Sequence, residues 1–275
     1  MIIKSEAIAL KITPFSETSR VVLWLTRDHG KIATIIKGAQ RRRSPFVGQV
    51  DLFYTCELLF YLRLFRGLHI VKECFCLKPR EPMRSRWRAA ACASYFADLV
   101  GRISPRYAPH PELFRLLDMA LDYFAEQAAL ELGLFWFELK LMKAMGLAPQ
   151  LKECLRCHRP LQETETFSTE RASAGKAREA AVFSWARGGV LCQVCAPLSR
   201  AAEAERATPI TPDILALLRF WQASRSWRSA LRLSCTPRQT RELERILGLF
   251  LQHHLEVSAP ARAMAFTALR MPLSP

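Results

Sequence analysis

The hydrophobic pattern changes character near residue 80. Before that point, short apolar runs rich in β-formers are separated by turn signals. Ala7 to Ile12 makes a first run, closed by Pro14, and Arg20 to Thr26 makes a second. The turn Asp28-His29-Gly30-Lys31 leads to a third, Ile32 to Lys37, which ends at Gly38. Val50 to Leu62 and Arg66 to Leu77 supply two more. Five short strands in one small region predict a closed barrel, because closure leaves no strand edge open to solvent. A short helix between the third and fourth strands would fit an oligonucleotide-binding barrel.

After Pro79 and Pro82 the apolar spacing becomes helical. Trp87, Ala90, Ala91, Tyr95 and Leu99 follow steps of three and four. Pro111 opens a second helix as a first-turn proline, with Leu113, Phe114, Leu117, Leu121 and Phe124 on one face. A third runs from about Leu130 to Met145 and stops at Gly146 and Pro149. Helices resume over Ile214 to Trp221 and Gln239 to His254. The aromatic stripes on these helices read as core. The chain is therefore expected to be α+β, with a barrel over residues 1–80 and a helical domain over 81–259. Residues 260–275, with three prolines and little pattern, are expected to form a loosely ordered tail.

Two cysteine pairs lie within an irregular stretch at 150–197. Cys154-Leu155-Arg156-Cys157 and Cys192-Gln193-Val194-Cys195 are each a tight knuckle that sets two sulfurs on one side. Two such knuckles make a tetrahedral four-thiolate cage, which suits zinc in a structural role because no position is left for water. Gly188-Gly189 gives the backbone freedom for the approach. The 34 residues between Cys157 and Cys192 exceed the usual ribbon spacing of about 15–20. The excess, Glu163 to Ala181, reads as a surface loop whose closure cost grows only logarithmically with length. A reduced metal-free set and a redox pair are the alternatives, and His158 competes with Cys157 as a ligand. Cys56, Cys74, Cys76, Cys92 and Cys235 sit on apolar segments and read as core.

Charge narrows the partners. The formal net charge is +15 over 275 residues, which favours polyanions. Lys37, Arg41, Arg42 and Arg43 crowd the segment after the third strand, and Arg80, Arg84, Arg86 and Arg88 crowd the hinge into the first helix. A cationic groove with aromatic faces is how single strands are held, and Trp24, Phe46, Tyr54 and Tyr61 are the available aromatics. Arg219, Arg225, Arg228 and Arg232 offer a second basic surface for an acidic protein tail. No phosphate-binding loop, H-E-x-x-H, G-x-S-x-G or G-x-G-x-x-G occurs, so catalysis is not expected. The N-terminus lacks a signal-peptide core and no run is long enough to span a bilayer, so a cytoplasmic chain is expected.

Several runs together resemble the bacterial recombination mediator family RecO. They are Ala7-Ile8-Ala9-Leu10, the turn into Gly30-Lys31, Ile36 to Arg42, and Pro111 to Leu117. The most specific is Phe137 to Pro149, followed at once by the first knuckle. The resemblance implies an N-terminal oligonucleotide-binding barrel and a helical domain carrying a zinc finger. It implies binding of single- and double-stranded DNA and annealing of complementary strands. It also implies work with RecR, often with RecF, to load RecA onto DNA coated by single-strand-binding protein, at the nucleoid. By position, Lys37 and Arg41 to Arg43 match the family's DNA-binding loop, and the four cysteines match its zinc ligands. A protein-binding adaptor with a structural zinc, and a zinc-dependent nucleic-acid enzyme, are the rival readings.

Overall fold

A computed structural model describes residues 1–63, 67–126, 131–161, 181–196, 206–230, 232–256 and 260–271. The first five elements are strands: β1 (Ile2–Pro14), β2 (Arg20–Thr26), β3 (Gly30–Ile36), β4 (Thr55–Tyr61) and β5 (His69–Lys78). They close into a barrel in the order β1-β2-β3-β5-β4, with β4 returning to β1. This is the oligonucleotide-binding arrangement anticipated from the strand pattern. The strand β1 is longer than its apolar run because it serves two neighbours. Ile2 to Ile8 pair with β4, Ala7 to Pro14 pair with β2, and an irregularity between Ala9 and Lys11 re-aims the strand between them. The ring closes through a short parallel contact, Thr34 with His69 and Ile35 with Ile70.

Alternation decides what fills the barrel. Val22, Trp24, Ile32, Leu58 and Phe60 point inward and are buried. The Trp24 indole is satisfied there, donating from Nε1 to Thr34 Oγ1 at 2.8 Å. The connection from β3 to β4 is a succession of turns, not the short helix expected. Its composition explains this: three arginines, Ser44 and Pro45 give no apolar stripe to bury, so helix formation would gain nothing from packing.

Beyond the barrel come the short helix α1 (Pro82–Ser85), then α2 (Trp87–Ile103), α3 (Pro111–Glu126) and α4 (Glu131–Ala144). The strands β6 (Ala181–Ser184), β7 (Gly189–Cys192) and β8 (Ala207–Ile210) form a three-stranded antiparallel sheet with β6 in the middle. The sequence pattern gave this stretch no strands. The helices α5 (Pro212–Ala223), α6 (Trp227–Ala230), α7 (Pro237–Leu255) and α8 (Pro260–Arg270) follow.

The chain packs as two compact units, Met1–Ala129 with Ala259–Pro275, and Leu130–Ser258. This differs from a division at residue 80: α1 to α3 share a unit with the barrel. In the first unit Phe96 of α2 meets Phe124 of α3 edge-on, with ring centroids 5.3 Å apart. Of the expected loose tail, Pro260–Arg270 is instead α8, packed on α2, and 272–275 lie outside the described residues. Small buried residues face inward on both, Ala93 and Ala97 on one and Ala265 and Ala268 on the other, which allows a close approach. Pro260, which suggested disorder, occupies the first helical turn, where a proline is tolerated.

A buried ionic knot fixes β5 to α3. The Arg80 side chain is only 3% exposed and donates to Phe53 O at 2.6 Å, Thr55 Oγ1 at 2.9 Å, Asp118 Oδ1 at 2.5 Å and Asp122 Oδ1 at 2.8 Å. Lys78 Nζ reaches the other oxygens of the same two carboxylates, at 2.5 and 2.7 Å. Asp118 and Asp122 are four residues apart on α3, so both face the barrel. In the second unit Phe135 packs on Trp221 and Phe183 on Phe250. The α7 start is closed by a reciprocal box in which Thr236 Oγ1 accepts from the Gln239 backbone and Gln239 returns to the Thr236 N–H.

Candidate nucleic-acid interface and metal centre

The residues that follow β3 stand on the surface. Lys37, Arg41, Arg42 and Arg43 are all exposed, and none has an ion pair among the described residues. Gly38, at φ +67°, turns the chain out of the strand, and Arg41 N–H donates back to Gly38 O at 3.1 Å. The loop does not hang free. Gln40 N–H donates to Thr18 O at 3.0 Å, and Gly38 N–H to Ser19 Oγ at 3.4 Å. With its amide oriented to satisfy both partners, Gln40 also donates to Glu17 O at 2.8 Å and accepts from Arg20 at 3.2 Å. The β1–β2 turn therefore braces the cationic loop. Gln40 and Ser19 do this positioning, and nothing in their spacing along the chain signals it.

The other basic residues named from the sequence are engaged within the protein. Arg84 donates to Asp51 at 2.9 Å and to the Tyr54 hydroxyl at 2.5 Å. Arg86 caps the end of α3, donating to the carbonyls of Ala125 and Glu126 at 3.1 and 3.3 Å. Arg88 lies over the Trp87 ring and donates to Met271 O. Among the aromatics, Trp24 and Tyr54 are buried and Phe46 is half-buried against the barrel core. Tyr61 is exposed, but it pairs with Ile2, at the opposite end of β1 from the basic loop. Of the second basic set, Arg219 is taken up by Leu151 O at 2.8 Å and Leu161 O at 3.0 Å, while Arg225, Arg228 and Arg232 are exposed.

The four knuckle cysteines come together. The Sγ atoms of Cys154, Cys157, Cys192 and Cys195 all lie within 4.8 Å of one another, a group able to hold a metal ion. The Cys157–Cys192 separation is 3.8 Å. A tetrahedron with metal–sulfur bonds of about 2.3 Å has edges of roughly 3.8 Å, so this edge fits a zinc-sized ion. His158 is not part of the group; at φ +56° it turns the chain out of the knuckle.

Backbone contacts hold the first knuckle against β7. Leu155 N–H donates to Val190 O at 2.9 Å and Gln150 N–H to Gly188 O at 2.8 Å. The close approach depends on Gly189: a Cβ there would stand 2.5 Å from Gln150 O. Cys192 and Arg156 N–H groups point at Cys154 Sγ from 3.4 and 3.5 Å. Burial raises the Cys154 thiol most, but donors from the Cys157, Cys192 and Arg156 backbones outweigh it and bring the thiol down to about 6. Burial and then its neighbouring thiols push Cys195 up to about 12. The expected insert lies almost wholly outside the described residues. Cys56, Cys74 and Cys92 are buried, as the core reading required, whereas Cys76 and Cys235 are only half-buried.

No helix among the described residues is long and apolar enough to cross a membrane. A family model described as Recombination protein O N terminal matches residues 1–80, and one described as Recombination protein O C terminal matches residues 84–263. The DNA repair protein RecO of Roseiflexus sp. (strain RS-1) is 31% identical over 263 residues, covering 96% of this chain and 84% of that protein. The DNA repair protein RecO of Anaeromyxobacter sp. (strain K) is 30% identical over 261 residues, covering 94% of each. That of Syntrophus aciditrophicus (strain SB) is 28% identical over 258 residues, covering 92% and 90%. A five-stranded barrel, a cationic loop at its rim and a four-cysteine cage, in a chain that both family models span, lead to one conclusion: the chain belongs to the RecO family of DNA repair and recombination proteins.

Proposed function

We propose that this protein is a non-catalytic mediator that binds single- and double-stranded DNA and anneals complementary strands. The observation that carries the proposal is the set of four exposed cations, Lys37, Arg41, Arg42 and Arg43, held on a braced loop of an oligonucleotide-binding barrel. Annealing brings two polyanions together, and a cationic surface lowers their repulsion while releasing condensed counterions. Arg84, Arg86 and Arg88 are secondary in this reading, since each would exchange an internal partner for a phosphate. The cage of Cys154, Cys157, Cys192 and Cys195 holds zinc. Four thiolates around one ion leave no open position, so the metal ties the knuckles to β7 and takes no part in chemistry.

As in the family it resembles, the protein works with RecR, and often RecF, to help load RecA onto DNA coated by single-strand-binding protein in the cytoplasm and at the nucleoid. Arg225, Arg228 and Arg232 are the basic residues offered to the acidic tail of that protein. The test is strand annealing on DNA coated with single-strand-binding protein. The wild-type chain accelerates annealing, and the Arg41→Ala/Arg42→Ala/Arg43→Ala variant loses most of the acceleration. No acceleration by zinc-loaded wild type would end the proposal. Metal-dependent turnover of the strands would favour the rival, a zinc-dependent enzyme.

A further inference from the structure

We infer that the β1–β2 turn forms a base-stacking subsite for single-stranded DNA, with the Phe15 ring as its platform. This inference rests on the DNA-binding reading above and adds to it a residue, and a preference for unpaired bases. Phe15 is 60% exposed. An exposed aromatic alone carries little meaning, because much of any protein surface is apolar. Its neighbours give it one. The turn that carries it accepts the hydrogen bonds of Gly38 and Gln40, so Phe15 stands beside the segment bearing Lys37 and Arg41 to Arg43. A cationic track next to an exposed ring is the arrangement that holds single strands: phosphates follow the charge while a base lies on the π-face. One acid, Glu17, shares the turn, against those four cations and Arg20.

The backbone that carries the platform is also closed on itself. Phe15 N–H and Ser16 N–H both donate to Ser19 O, at 3.0 and 3.3 Å, and Ser19 N–H donates to Ser16 Oγ at 3.2 Å. A turn closed on itself loses little freedom when a base settles on it, which favours binding. No other exposed aromatic of the barrel among the described residues is so placed. Tyr61 pairs with Ile2, roughly 40 Å along β1 from Pro14 at about 3.3 Å per residue. Phe75 lies opposite Glu57 on β5, where a phosphate would meet an acid. A duplex keeps its bases stacked on each other, so the subsite serves only unpaired strands.

Three variants of the zinc-loaded full chain test this: Phe15→Ala, Phe15→Trp and the triple arginine-to-alanine loop variant, each titrated with oligo(dT) and with a duplex. Phe15→Ala should bind oligo(dT) about tenfold more weakly, with an unchanged salt slope and unchanged duplex affinity. Phe15→Trp should keep wild-type affinity, and the fluorescence it adds should be quenched by oligo(dT) and not by duplex. If Phe15→Ala binds oligo(dT) like wild type while the loop variant is weakened, the subsite is overturned and the DNA-binding reading stands. An equal loss on single strand and duplex also overturns it. Failure of the wild-type chain to bind either ligand overturns the reading on which the inference rests.

Discussion

Arg80 shows how far a residue's type can mislead about its work. In the sequence it is one of a crowd of arginines at a hinge, with nothing to set it apart from Arg84 or Arg88. In the fold it is the buried centre of a knot that ties β5 to α3. Its charge is tolerated because two carboxylates and two further oxygens take up its donors. Arg80→Met leaves Asp118 facing fewer cations and should cost about 3–5 kcal/mol, read as a lower urea midpoint of the unit that holds the barrel. Arg80→Lys should recover little, because a single ammonium cannot replace a forked guanidinium.

The same knot sets a response to acid. Burial is the largest influence on Asp118 and raises it, but hydrogen bonds from Lys78, Thr55 and Arg80, with the Arg80 charge, together hold the carboxyl below its usual range. A carboxylate whose pKa is depressed on folding stabilises the fold above its unfolded pKa, about 3.9, and that stability is lost as pH falls through the folded value. Asp118→Asn should therefore be less stable than wild type at pH 7, and in denaturant titrations across pH the gap should begin to narrow only below about pH 4 and vanish as the pH falls through the lower folded value. Neither partner of this knot was legible from spacing, because the pairing joins residues some forty positions apart.

Elements were readable where a local pattern and the tertiary fold agree. The apolar run of β2 and the stripes of α3 and α4 fall where their periodicity puts them. The first half of β1, with Lys4, Ser5 and Glu6, was not readable, because it is strand only by virtue of pairing with β4. The tail helix α8 was missed for another reason: alanine is a strong helix former but a weak hydrophobic marker, so α8 shows little stripe. The strands β6 to β8 are four residues each, too short to show alternation; Phe183, Val190 and Ile210 are buried, and β7 ends on a cage cysteine, Cys192, so the sheet depends on the knuckles as well as on its core.

That dependence gives a prediction at the element scale. Cys157→Ser removes one ligand, and zinc content should fall from about one per chain toward zero. The second unit should then unfold at lower denaturant, with the wild-type chain matching it after chelation. Gly189→Ala should weaken the cage without touching a ligand, because the added carbon meets the Gln150 carbonyl; faster loss of zinc to a chelator would report it.

At the scale of the molecule, the charge and the fold converge on one surface. A net charge of +15 favours a polyanion, yet the fold shows that much of the positive charge near the barrel is occupied internally, by Asp51, Asp118, Asp122 and helix-end carbonyls. What is left exposed on the barrel's basic loop is a compact set of four cations braced by the β1–β2 turn. The sequence could show where the charge is dense; only the fold distinguishes charge spent on packing from charge offered to a ligand.

The direct test is the affinity for single-stranded DNA measured across a range of salt, for the wild-type chain and the Arg41→Ala/Arg42→Ala/Arg43→Ala variant. Wild type should bind with an affinity that falls linearly with log salt, and the variant's slope should be shallower by about 2, close to 0.7 for each lost phosphate contact. An identical affinity and slope in the two proteins would contradict the account.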